Sequence, residues 1–324
     1  MQHTKYKSPS AVGTSEMGAY FRGAVLCAIF AWTAPLAAKD ADKDPCPGLS
    51  PAAQHAFALA EKVTDPGVRH HLVRLLGSEQ LLELFYSESL YCRLVALDAA
   101  GVYEQNPWTL LPSLAALMGA RDRDTASISA RSLLELLTRI EASPEKSWDV
   151  VPGQKKQLMG QLAALASDIR LDVDVRHAAI SGYAMILKSQ KSLLSDTPWV
   201  LSLLEDPYFT VRRAALTTID LPVAAPLLIK LAELAQEDTD PMTRGQATAL
   251  LCENAVFHGV RAPSADLTRI LKDTLGNTEL PADALAPSLA CLRRFPVSAR
   301  TDLIDLALSH PDPALTAFWK ELND

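Results

Sequence analysis

Apolar positions along the chain fall at helical spacing, and they do so in a repeating phrase. The clearest instance runs from Glu205 to Asp220. Asp206-Pro207 reads as a turn, with the acid free to cap the first N–H groups of a helix and proline suited to its first turn. Val211, Ala214, Ala215, Leu216 and Ile219 then share one face. Just upstream, Trp199, Val200, Leu203 and Leu204 form a short apolar helix. A helix, a tight turn and a second helix make a pair that cannot bury its apolar face alone.

The phrase recurs. Asp172-Val173-Asp174-Val175-Arg176-His177-Ala178-Ala179 keeps the order of acid, Val-Arg and two alanines. Asp240-Pro241 followed by Arg244, Asp65-Pro66 followed by Arg69, and Arg93 without a proline are further copies. Ser129 stands in the arginine's place in a copy between Arg93 and Arg176. The spacing from Arg176 to Arg212 to Arg244 fits repeats of two helices. No alternating strand pattern bounded by hairpin turns occurs. Eight helix pairs can be laid over residues 50–322, the first ending at Gly77 and the third opening at Pro107. The longest connector is the breaker-rich stretch 142–153.

These residues resemble the HEAT repeat family, whose second helix commonly opens with Asp, then Val-Arg, then small residues. The tetratricopeptide signature of tryptophan and glycine-tyrosine is missing. The resemblance implies an all-α fold, a right-handed α-α superhelix (α-solenoid) of about eight helical hairpins. It also implies that the helix-opening acids and the arginines pair between neighbouring repeats: Asp172, Asp206 and Asp240 with Arg176, Arg212 and Arg244. Arg213 falls outside that pattern and is a candidate for contact with a partner. Trp108, Trp199 and Trp319 read as packing residues. Composition fits a solenoid, since 48% of residues are hydrophobic but only 6% aromatic, leaving leucine and alanine to fill the core.

The N-terminus carries a separate signal. Residues 24–38 are uncharged and too short for a membrane span, which needs ~20 apolar residues. A basic flank before them and small residues after them describe a secretory signal peptide over residues 1–38. Cleavage is expected after Ala38, and Met17 is an alternative start. An uncleaved anchor is the competing reading. Residues 39–49 read as a flexible leader. Asp40, Asp42 and Asp44 alternate like a calcium loop, but Pro45 and Pro51 stand where that loop needs glycine and glutamate.

The whole chain carries −7, and the first 38 residues carry a net +2, so the remainder carries −9. A basic stripe for nucleic acid is not evident. The acidic stretch Glu233, Glu237, Asp238 and Asp240 reads as a solvated turn. Four cysteines follow Ala38, an even count that permits disulfides in an exported protein. Cys46, between two prolines, has Cys92 as its nearest partner. Cys252 and Cys291 fall at the same position of adjacent second helices. Helix axes ~8–10 Å apart exceed the Cα separation a disulfide allows, so these two are expected as buried thiols.

Catalytic signatures are lacking: no phosphate-binding glycine loop, no GxSxG elbow, no HExxH helix and no Cys/His metal spacing. His70 and His71 point apart on a helix. The sequence therefore predicts no catalytic residues, no cofactor and no metal. The expected function is an exported, periplasmic or secreted scaffold that binds a protein partner along its concave face, with no membrane span after signal removal. A structural envelope or matrix protein is the first alternative. A lyase-like helper, on the analogy of HEAT-like proteins resembling bilin lyases, is the second.

Overall fold

The computed structural model describes residues 46, 49–62, 66–142, 152–189 and 197–323. The expected signal peptide, most of the leader and most of the 142–153 connector lie outside them. The described residues form helices and no strands. In chain order these are α1 (Pro51–Lys62), α2 (Pro66–Phe85), α3 (Leu90–Ala100), α4 (Leu111–Met118), α5 (Arg123–Ala142), α6 (Pro152–Ser167), α7 (Val173–Lys188) and α8 (Thr197–Leu204). They continue with α9 (Phe209–Leu216), α10 (Ala225–Glu237), α11 (Pro241–Phe257), α12 (Ala265–Leu275), α13 (Ala282–Leu292), α14 (Val297–Leu308) and α15 (Pro313–Asn323). Pro107 opens a 3-10 turn rather than α4 itself, which begins at Leu111.

Proline and acid at the predicted starts act as the local physics requires. Asp240 accepts from the Thr243 amide at 2.8 Å and caps α11, with Pro241 at its first position. Asp172 caps α7 through the Asp174 amide at 3.0 Å. Gly77 interrupts α2 with φ of 68°, a left-handed value that glycine adopts without a Cβ penalty. It divides α2 at the boundary expected between the first two pairs.

The two helices of each expected pair pack on one another, and alternate helices also touch, which gives two rows. The odd row runs α3, α5, α7, α9, α11, α13 and α15, each against the next. The even row runs from α4 to α14 in the same way. Buried alanines keep the odd row close: Ala178 and Ala179 on α7, Ala214 and Ala215 on α9, Ala247 and Ala249 on α11. Leucines supply most of the rest, including Leu133 and Leu137 of α5 and Leu227 and Leu231 of α10.

Two disulfides cross this core. Cys46 is bonded to Cys92 at the start of α3. Cys252 of α11 is bonded to Cys291 of α13, which overturns the expectation of free thiols. The Cα atoms of that pair are 6.2 Å apart, because the two helices approach more closely than average packing allows. Gly245, seven residues before Cys252, sets the spacing. A Cβ there would fall 1.9 Å from the carbonyl oxygen of Ala284, itself seven residues before Cys291. With hydrogen in place of a methyl group, the backbones touch and the sulfurs two turns on come within bonding reach.

Candidate functional site: an arginine ladder along the odd row

The recurring arginines sit one turn inside the odd-row helices. Arg93, Arg212 and Arg244 each direct Nη1 to the backbone carbonyl six residues upstream, at 2.8 Å in all three cases: Ser87, Asp206 and Asp238. Each thereby ties its helix to the turn that introduces it, through a backbone carbonyl of that turn. Arg176 does the same by another route, donating from Nε to the Ala166 carbonyl near the end of α6 at 2.9 Å.

The free end of the guanidinium then reaches the next odd helix. Arg176 pairs with Asp206, ahead of α9, and both side chains are almost fully buried, Arg176 at 2% exposure. Arg212 forms a two-pronged pair with Asp238, Nε to Oδ2 at 2.7 Å and Nη2 to Oδ1 at 2.6 Å. Arg93 donates to the Thr125 hydroxyl at 3.1 Å, and Thr125 in turn bonds Asp122, which opens α5. The acid in these pairs lies two residues before the helix-capping position at Asp206 and Asp238, and at the cap itself for Asp122.

Several expected assignments change accordingly. Arg212 takes Asp238, not Asp240. Asp240 instead receives Arg213, whose Nη2 lies 2.9 Å from both carboxylate oxygens and whose guanidinium rests over the Phe209 ring. Arg213 thus joins α9 to the acid that caps α11, with 32% of its side chain still exposed. Asp172 meets Arg123 of α5 at 2.9 Å. Arg244 makes no ion pair among the described residues. The arginine's place in α5 is Ala126, four residues past Asp122, and not Ser129. Ser129 is buried with an unbonded hydroxyl among the described residues. Finally, the acidic stretch near α11 is half structural, since Asp238 and Asp240 are both spent on the ladder.

A second polar cluster lies between α2, α3 and α5. Arg69 meets Asp98 at 3.0 Å and Glu135 at 2.7 Å, and Arg131 also pairs with Asp98. Sequence alone gives no sign of Glu135, because it falls outside the repeated phrase. Glu253 of α11 is buried and paired with Arg294. Burial pushes its carboxyl above the usual range, and Arg294 only partly opposes this. Burial also raises Asp220, against the pull of Lys188.

His177 lies partly buried on α7. Burial pushes its imidazole below its ordinary value; Asp174 pulls it up and Arg213 pushes it down. For Asp240, burial alone would raise the carboxyl, but the Thr243 and Arg213 hydrogen bonds outweigh it and hold it low. Trp199 packs against Tyr183 with ring centres 4.4 Å apart and donates to the Ser167 hydroxyl at 3.1 Å. Trp319 lies under the Arg300 guanidinium. Among the described residues, no group of three or more His, Cys, Asp and Glu side chains is arranged to hold a metal ion. No described helix is long and apolar enough to cross a membrane.

No protein-family model matches the chain, and no curated protein matches it. Among solved structures it is similar to an engineered protein at 16% identity over 75% of this chain and 96% of that one, with a TM-score of only 0.34. It is also similar to YibA of Escherichia coli, at 15% identity and a TM-score of 0.53. That match covers 98% of this chain and 99% of YibA, and it shows the all-helical fold alone.

Proposed function

We propose that the chain is a HEAT-like α-solenoid that works outside the cytoplasm as a non-catalytic scaffold. Its eight hairpins are α1 with the first half of α2, the second half of α2 with α3, and then each even helix from α4 to α14 with the odd helix after it. In this reading the hairpins wind into a right-handed superhelix, and the odd row lines its concave face. A protein partner binds there.

The observation that carries the reading is the ladder. The same guanidinium-to-carbonyl contact repeats at Arg93, Arg212 and Arg244, and a contact to the next odd helix repeats at Arg93, Arg176 and Arg212. A surface built from repeated units is long and shallow, which suits a macromolecule better than a small molecule. Two buried disulfides support an oxidising compartment, where such bonds persist. The signal-like residues 1–38 support export by the same logic.

The test is affinity capture of the full chain from its native host, fraction by fraction, with the N-terminal residue and intact mass read on the same material. A start near Lys39, four cysteines oxidised and a protein recovered in fixed proportion support the reading. An unprocessed start in the cytoplasmic fraction, or recovery with nothing above background, counts against it.

A further inference from the structure

The buried apolar side chains divide into two clusters. The larger extends from Cys46 to Ala247 of α11 and takes in Ile270 of α12. The smaller begins at Cys252 of α11 and gathers Leu271 of α12, Leu289 of α13, Leu303 of α14 and Leu315 of α15. Two helices, α11 and α12, thus feed both. In a stack of repeats, stability is a sum of unit and neighbour terms, and an end unit has one neighbour instead of two. The last four helices depend chiefly on their seat against α11, with a smaller contact between α12 and α10. The Cys252–Cys291 bond lies in that seat, on the smaller-cluster side, and both sulfur-bearing residues are fully buried.

We propose that Cys252–Cys291 is a redox clasp that holds α12–α15 to the rest of the stack, so that its reduction frees this end as a unit. The reductant is a dithiol. One thiolate attacks a sulfur of the pair, breaking the S–S bond and forming a mixed disulfide. The second thiol displaces it and closes the reductant's own disulfide. Two electrons and two protons pass to the protein, which is left with thiols at Cys252 and Cys291. Because neither residue has exposed surface, the reductant enters only when the end opens, and the speed of reduction reports that opening. Cys46–Cys92 closes a different loop at the far end of the stack, so the two bonds act on separate regions.

Hydrogen exchange followed by mass spectrometry tests this on the full chain, with and without dithiothreitol, alongside the double variant Cys252→Ala/Cys291→Ala. Opening a loop of 39 residues lowers the local protection by ~100-fold or more. The expected result is that amount of faster exchange in peptides from 265–323 after reduction, with peptides from 173–188 unchanged. In the double variant the same peptides exchange fast from the start, and dithiothreitol alters them no further. Uniform acceleration along the whole chain would overturn the proposal, as would unchanged protection of 265–323 in the reduced protein. Should the double variant fail to fold, the comparison of oxidised and reduced wild type still decides.

Discussion

Removing the Arg176 guanidinium strands the Asp206 carboxylate in a site with almost no water. Breaking one side of such a buried pair costs ~3–5 kcal/mol. Arg176→Met is therefore expected to lower the urea midpoint sharply, and adding Asp206→Asn is expected to recover part of the loss. Equal, additive losses for the two changes would show that the residues act independently. His177 provides a pH reading at the same scale. Its folded-state value lies below the ordinary one, so protonation favours unfolding. Its contribution is intact above ~6.5 and is lost as pH falls below that value. His177→Gln is expected to gain on the wild type between pH 7 and 5.5 in urea midpoints; parallel pH curves would refute this. The repeated acid and arginine are legible in the sequence because each falls at fixed spacing from a turn. Which acid meets which arginine is not. Asp238 and Asp240 are two residues apart, and Arg212 and Arg213 are adjacent, so only the packed angle between α9 and α11 assigns Arg212 to the first acid and Arg213 to the second.

At the scale of elements, glycine decides where helices meet and where they bend. A Cβ on Gly245 meets the Ala284 backbone carbonyl, which cannot swing aside as a side-chain tip could. Gly245→Ala is expected to destabilise by ~1–3 kcal/mol through overpacking. Gly160, exposed within α6 with open space around its missing Cβ, offers the contrast. Gly160→Ala is expected to stabilise by ~0.5–1 kcal/mol. Thermal melts of the two variants check both signs, and a Gly245→Ala protein as stable as wild type would remove the close-approach account. The same residue explains why Cys252 and Cys291 are bonded and not free thiols. Mean helix spacing argues against Cys252–Cys291, and nothing in the local sequence marks Gly245 as a contact point instead of an ordinary weak helix former. Gly77, by contrast, shows its role directly, since it falls between two apolar runs and before a polar Ser78-Glu79 start.

For the molecule as a whole, the claim to test is that one face of the helical stack, the odd row, receives a protein. Helical periodicity and the recurring Asp-to-Arg phrase make the row of helices readable from the sequence. The surface proposed to meet a partner leaves no comparable trace, because exposed residues on such a face are free to vary in type without disturbing the packing that the periodic pattern encodes. The most direct measurement is site-specific photo-crosslinking in the native host. A photoreactive side chain is placed in turn at the odd-row positions Ser181 and Thr217 and at the even-row positions Gln157 and Ile229. The account predicts one discrete crosslinked species from Ser181 and Thr217 and none from Gln157 and Ile229. Crosslinks from the even row alone, or equally from both rows, would contradict it.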